Sequence, residues 1–350
     1  MRFFRRLAVG GGILAVFALV LVTSSNLLQH LAQTHEQARY FLLLSFFIGI
    51  GASLTAMLAA YLLELLLMGW VGSSLEALWK ARTSVRLDVL AALVMQLRDK
   101  HLDYILSLGL LYFIATRLPR SSGISIAHWL PSWGLQVGCA LLLSSLLSYW
   151  IHRLQHSIPA LWALHKFHHS AERLAILTTA RDTKLSLAVD SVLRVLPLAI
   201  LSVPVAVKPT AASPAYVLVG IYFLFTALTR FNSFLIHSNL DLGYGWVGRW
   251  LFVSPRMHRV HHSNSPAFYN RNFSFDFVLW DRLFGTYTLC EEAAQLPIGL
   301  LDNPFNTDGS LKGVLRAYFL TTYVEFWRAV KQGRKAWRPM RWSQPPLTGQ

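Results

Sequence analysis

From Tyr40 to Leu63 the chain runs for 24 residues without a charged side chain. At ~1.5 Å of rise per residue, a helix of that length crosses a hydrocarbon layer of ~30 Å. Lipid offers nothing to satisfy a bare backbone N–H or C=O, so such a run is held as a helix or in a closed barrel. The run is continuously apolar rather than alternating, which predicts a helix. Of the 350 residues, 54% are hydrophobic and 14% charged, against roughly 25% charged in soluble domains. A disordered chain and a purely soluble enzyme are both excluded.

Further apolar runs predict a polytopic membrane helical bundle. Leu7 to Val22, behind Arg2, Arg5 and Arg6, reads as an uncleaved signal anchor with its basic end inside. Leu102–Leu118 and Trp133–Ile151 form one expected hairpin, with an outer turn from Ser121 to Ser132. Leu185–Val207 and Ala215–Ile236 form a second, turning at Lys208-Pro209 and Pro214 and kinked at Pro197 and Pro204. Lys80, Arg82, Arg86, Arg98 and Lys100 make the stretch from Trp70 to Lys100 cytoplasmic. Glu64 is expected at the interface or paired with a neighbouring helix, and Asp190 with Arg194 as an intrahelical pair.

The formal net charge is +15. With no nucleic-acid motif present, these charges read as cytoplasmic loops facing anionic lipid rather than as a nucleic-acid surface. Between Lys312 and Arg341 lie eight basic residues and one acid, Glu325. Val314, Leu315, Tyr318, Phe319, Thr322, Phe326, Trp327 and Val330 recur there at helical spacing. They predict an amphipathic helix that lies either on anionic lipid or on the protein's own core. The expected units are N-terminal membrane helices with a basic loop (1–132), a catalytic unit (133–290) and a basic tail (291–350).

Nine of the 13 histidines fall in four places. His152 and His156 form H-x3-H; His165, His168 and His169 form H-x2-HH; His237 stands in Phe234-Leu-Ile-His237-Ser-Asn239; His258, His261 and His262 form a second H-x2-HH. Residues i and i+4 share a helix face, so His152 and His156 can address one ion. In each H-x2-HH the first and third histidines share a face, and the second is expected to join them through i,i+3. Neutral imidazole suits Fe, Zn, Cu or Ni. The first two clusters follow one hairpin and the last two follow the other, so all four emerge on the cytoplasmic face. Nine ligands exceed the four to six or so that one such ion accepts, which predicts a dinuclear site. Asn239 and Asp241 are nearby oxygen donors. His30, His35, His101 and His128 stand alone and read as ordinary core or surface residues. Cys139 and Cys290 can build neither a disulfide framework nor a thiolate metal site.

This order of motifs resembles the fatty acid hydroxylase/sterol desaturase superfamily. So do Tyr149-Trp150-Ile151-His152-Arg153, Leu161-Trp162, the run from Ser254 to Ser263 and the run from Trp280 to Tyr287. The resemblance covers about Ser144 to Tyr287. It departs at Thr183-Lys184, where the family often places His-Pro, and at Asn272-Phe273-Ser274, where Asn-Tyr-Gly is common. Neither change removes a core ligand. The resemblance implies an all-α membrane bundle with a cytoplasmic histidine-rich cap around two iron ions. O2 is the implied co-substrate, and hydroxylation or desaturation of an unactivated lipid C–H bond the implied reaction. No catalytic group beyond the metal ligands is implied. Asn239, Asp241, Asn272 and Asp281 are candidates for an additional ligand or for supporting one.

The chain has no cysteine set for an iron–sulfur cluster, no dinucleotide-binding glycine motif and no cytochrome b5 signature. A separate electron donor is therefore expected, a reductase with a ferredoxin or a b5-like protein. No endoplasmic-reticulum retention ending is seen, which points to a bacterial inner membrane rather than its eukaryotic counterpart, the endoplasmic reticulum. Two alternatives stand beside the oxygenase. A zinc hydrolase normally carries a general base beside its ligands, but Lys166 and Arg259 follow the first histidine of each H-x2-HH. A metal- or lipid-binding protein without redox turnover is the other.

Overall fold

The computed structural model describes residues 37–80, 82–94, 133–183, 185–186, 189–190, 193 and 227–332. Leu7–Val22, Leu102–Leu118, most of the second hairpin, Arg194 and the four solitary histidines lie outside them. The described residues are all-α. Their extended pairings are two isolated antiparallel bridges, Phe252 with Phe277 and Ser263 with Ile298.

Helix α1 (Gln37–Met68) overruns the uncharged stretch at both ends. Among the described residues, its segment Ile50–Met68 is the one helix long and apolar enough to cross a membrane. One side carries the buried small residues Ala52, Ala56, Ala59 and Ala60, while Leu54, Leu58 and Leu62 are exposed on the other. The alanines let Ile176, Phe234 and Leu235 pack closely against the helix. Glu64, near the end of α1, accepts hydrogen bonds from the backbone and hydroxyl of Ser74 at 2.8 and 2.9 Å and from the Asn239 backbone at 3.0 Å. The expected partner is thus a helix start and a loop, and the loop follows His237.

Helix α2 (Ser74–Trp79) begins where the Ser73 hydroxyl accepts from the Glu76 N–H. Helix α3 (Thr83–Val94) packs on the tight turn Ile176–Ala180 through Asp88. Thr178 donates to Asp88 at 3.1 Å, and Arg181 pairs with Asp88 at 3.2 Å.

Helix α4 (Trp133–Ser157) continues the run Trp133–Ile151 by six residues, which brings His152 and His156 onto it. Pro159 cannot continue that hydrogen-bond ladder, but its fixed φ suits a first helical turn. The chain breaks at Ile158 and restarts as α5 (Pro159–His169), which folds back on α4. Gln155 donates to Asp190 at 2.8 Å. After the helical residues 227–236, α6 (Gly245–Trp250) leads to α7 (Pro255–His261). Here the Ser254 hydroxyl accepts from the Met257 N–H, and Pro255 again opens the helix. Helix α8 (Leu279–Leu283) follows.

The amphipathic C-terminal helix is present as α9 (Leu311–Arg316) and α10 (Thr322–Gln332), joined by one wider turn at Ala317–Thr321. It packs on the protein's own core. Val314, Ala317 and Tyr318 bury against Phe167 of α5 and Phe305, and Glu325 pairs with Lys166. Leu311, Phe319, Leu320 and Trp327 remain exposed on its outer side.

Candidate metal centre

Both proline-opened helices end in an H-x2-HH. In α5 all three imidazoles lie within the helix, in α7 the third, His262, is the first residue beyond it, and α4 supplies two more. The nine histidines collect into two groups. His152, His156, His165, His169 and His261 form one; His168, His237, His258 and His262 form the other, with potential ligand atoms within 4.8 Å of one another inside each group. Each H-x2-HH is therefore divided. Helix α5 sends His165 and His169 to the first group and His168 to the second. Helix α7 sends His258 and His262 to the second and His261 to the first.

This corrects the expectation that all three histidines of a motif share one ion. Successive residues are turned by ~100°, so the middle histidine diverges from the third while the i,i+4 pair stays on one face. The two motifs thus exchange their middle residues.

Outer hydrogen bonds fix the ring orientations. Nδ1 of His152 donates to the Phe273 carbonyl at 2.6 Å, Nδ1 of His237 to that of Ser233 at 2.7 Å, and Nδ1 of His261 to that of Arg271 at 2.8 Å. A proton on Nδ1 of a neutral ring leaves a lone pair on Nε2. These Nε2 atoms face other imidazole Nε2 atoms. His152 and His165 are 3.1 Å apart, His169 and His261 3.2 Å, and His237 and His258 2.9 Å. Buried Nε2 of His156 and Nδ1 of His258 and His262 have no hydrogen-bond partner. Converging lone pairs are unfavourable alone and favourable around a cation, so the donor set fits metal.

Burial, and then the neighbouring rings, hold His165, His168, His169, His258 and His262 well below the usual imidazole range. Burial pushes His237 and His261 down to about 4, although the bonds to Ser233 and Arg271 oppose it. These seven rings are neutral at pH 7, the state that binds metal.

Residues 137–286 match the fatty acid hydroxylase family. This segment belongs to that family. The chain is 32% identical over 178 residues to the ornithine lipid hydroxylase OlsE of Rhizobium tropici, covering 49% of this chain and 48% of that protein. It is 30% identical over 162 residues to the alkylglycerol monooxygenase of Xenopus tropicalis, covering 45% of this chain and 31% of that protein. The human alkylglycerol monooxygenase is 26% identical over 179 residues, 51% of this chain and 36% of that protein. The chain thus spans about half or less of the length of these relatives. No solved structure matches it.

Within the fatty acid hydroxylase segment, one loop supplies two of the three carbonyls. Asn270 and Asn272 adopt left-handed φ values of 59° and 53° on either side of Arg271. Asparagine tolerates that conformation better than most residues. Buried Asn272 donates to the carbonyls of Met257 and Thr288 and accepts from the Thr288 N–H, joining the loop to α7. Buried Asp281 accepts from the Phe273 and Ser274 N–H groups at 2.7 and 3.0 Å and from the Thr286 hydroxyl at 2.7 Å. Thr286 also meets the Tyr149 hydroxyl, which accepts from Arg153. Asn272 and Asp281 bond instead to the loop whose carbonyls accept from His152 and His261.

Asn239 and Asp241 also lie outside the groups. The Asn239 amide donates to the Gly72 carbonyl and accepts from Arg259, and Asp241 pairs with Arg256 at 2.8 Å. Thr183 accepts from the Ser186 N–H, and Lys184 is not among the described residues. Sequence reasoning did not find the carbonyls of Ser233, Arg271 and Phe273, because a backbone oxygen has no residue signature. It also gave no role to Trp162, whose ring lies 5.0 Å from His156 and 5.4 Å from His169.

Proposed function

We propose that this protein is an O2-dependent lipid hydroxylase of a cell membrane, with two irons held by the nine histidines on the cytoplasmic side of a polytopic helical bundle. The observation that carries this reading is the division of nine largely buried imidazoles into two adjacent groups. Among the described residues neither group contains a carboxylate or thiolate, so these residues offer ligands and not the general base a metal hydrolase uses. Positive charge in the segment 70–100 and in the tail supports the cytoplasmic orientation.

His152, His156, His165, His169 and His261 would hold one ion, and His168, His237, His258 and His262 the other. Bound iron supplies O2 activation and oxidation of an unactivated C–H bond. One oxygen atom enters the C–H bond; two electrons and two protons reduce the other to water. The electrons come from a separate protein donor, since the chain carries no redox cofactor motif. The chain's own residues position and protect. Carbonyls of Phe273, Ser233 and Arg271 keep the imidazole protons outward, and the Asp281–Thr286–Tyr149 chain braces the loop. Phe275 stacks on His152 at 4.5 Å and, with Phe273 and Trp162, keeps water from the rings.

The named activities of the relatives, an ornithine lipid hydroxylase and alkylglycerol monooxygenases, suggest a polar membrane lipid as substrate. The test is metal content of the full chain in mild detergent together with lipid mass spectrometry of expressing cells. About two irons per chain and an O2-dependent gain of one oxygen atom in a lipid are expected. One zinc per chain with no oxygenated lipid would replace this reading with the hydrolase.

A further inference from the structure

The C-terminal helix lies outside the segment 137–286 and has two apolar faces. Val314, Ala317, Tyr318 and Thr322 are buried against the core. Leu311, Leu315, Phe319 and Trp327 form a second row at multiples of four residues, and all are exposed, Leu311 by 74% and Trp327 by 57%. Half-buried Tyr323 completes the row. Successive residues turn by ~100°, so steps of four drift by ~40° each. The wider turn at Ala317–Thr321 takes up part of that drift and keeps the row beside the buried face.

A basic edge accompanies the row. Lys312, Arg316 and Arg328 each follow one of its residues by one position and are exposed. Among the described residues Lys312 and Arg316 form no ion pair. These three cations line a cavity of about 520 Å³, within the ~300–1,000 Å³ usual for small-molecule sites. Asp308 and Glu325 line it too, but Asp308 accepts from the Ser310 N–H at 2.9 Å and Glu325 is held by Lys166 and Arg328.

The row runs for ~25 Å, more continuous apolar surface than the small contacts of transient redox partners. Its place favours lipid. Val94, at the end of α3, packs on the cluster of Val314, Ala317 and Tyr318. The expected membrane segment Leu102–Leu118 begins eight residues later, a reach of at most ~29 Å. Leucine, phenylalanine and tryptophan beside lysine and arginine suit the boundary between acyl chains and anionic headgroups.

We propose that the outer row of α9–α10 lies in the cytoplasmic leaflet of an anionic membrane, with Lys312, Arg316 and Arg328 at lipid phosphate. The helix is then held between the bilayer and α5, which carries three of the histidines.

The test uses the full chain with Cys139→Ser and Cys290→Ser, carrying Phe319→Cys or, separately, Leu311→Cys, labelled with the fluorophore NBD. Each is reconstituted in phosphatidylcholine vesicles with and without phosphatidylglycerol, and helix content checks folding. A blue-shifted emission quenched by nitroxide-labelled lipid is expected at both positions. Quenching should be stronger with phosphatidylglycerol, and Lys312→Gln with Arg316→Gln should lose that gain. Emission at the wavelength found in water would overturn the inference. So would a blue shift without lipid quenching, which would mean that a second copy or another protein covers the row. Quenching that ignores both phosphatidylglycerol and the two cations would overturn the anionic lipid as occupant. Two label positions keep the test decisive if one variant fails to fold. The readout needs neither metal nor turnover, so its failure and that of the hydroxylase reading are distinct.

Discussion

Asp88 and Arg181 meet at 3.2 Å with neither side chain exposed to solvent. The pair joins α3 to the turn that follows the first H-x2-HH, and Arg181 also donates to the Ser84 carbonyl at 2.9 Å. Removing one partner strands the other charge. Asp88→Ala or Arg181→Ala is expected to destabilise the protein by ~3–5 kcal/mol, and Asp88→Leu with Arg181→Met to recover most of that loss. Melting temperatures in one detergent check it. A double variant no more stable than the singles would show that the charges, not merely the packing, are required.

The same pair has a pH signature. Burial raises the Asp88 carboxyl from 3.8 to about 6, against the pull of Arg181 and Thr178. Between those values the folded state keeps a proton that the unfolded chain has released. Stability contributed by this group therefore falls as pH rises through that window and levels off above it. The parent-minus-Asp88→Asn difference in melting temperature should slope there and be flat above about pH 7. A difference that is flat throughout would refute the assignment.

The exchange of middle histidines makes the two groups separable by mutation. His165→Ala removes a ligand from the first and His258→Ala one from the second. Metal per chain is expected to fall from about two towards one in either variant and further in the double. Elemental analysis of purified protein measures it. Loss of all metal in both singles would mean that the groups bind only as a unit.

Asp281 never reaches a ligand, yet it fixes the Phe273 carbonyl that orients His152. In Asp281→Asn an amide replaces an oxygen that faces an N–H. Metal affinity should drop ~10–100-fold, the scale seen when support behind a ligand is lost. Metal competition against a chelator reads this directly, with helix content as the control for folding.

Glu325 fastens the C-terminal helix to the histidine helix through Lys166 and also binds Arg328. Burial raises its carboxyl, but Lys166 and Arg328 outweigh burial and hold it below the ordinary 4.5. A lowered carboxyl stabilises above the unfolded value, and that contribution is lost as pH falls through the folded one. At neutral pH, Glu325→Gln should raise protease cleavage within Thr322–Gln332 several-fold and leave α1 unaffected. Unchanged cleavage would mean that apolar packing alone seats the helix.

Much of this was legible along the chain because helical periodicity is local. His152 with His156, His165 with His169 and His258 with His262 are i,i+4 pairs, and each pair stays within one group. Pro159 and Pro255 mark where the histidine-bearing helices begin for reasons internal to one residue. The spacing of Val314, Tyr318 and Thr322 announced a helix, but whether that face met lipid or protein depended on Phe167 and Phe305, far away in sequence. Glu64 needed a partner, and nothing near it in the chain says that Ser74 and the Asn239 backbone provide one.

By itself the sequence determined the donor set, its helical presentation and the family, since residue type and short spacing decide those. Only the tertiary structure decided how nine imidazoles divide into five and four. The middle histidine of each motif is ~100° from the third, so which group it joins depends on the helix packed opposite. The structure likewise decided which backbone carbonyls hold the rings. Those relationships are made by chain segments meeting in space, and backbone oxygens carry no side-chain identity for a sequence to display.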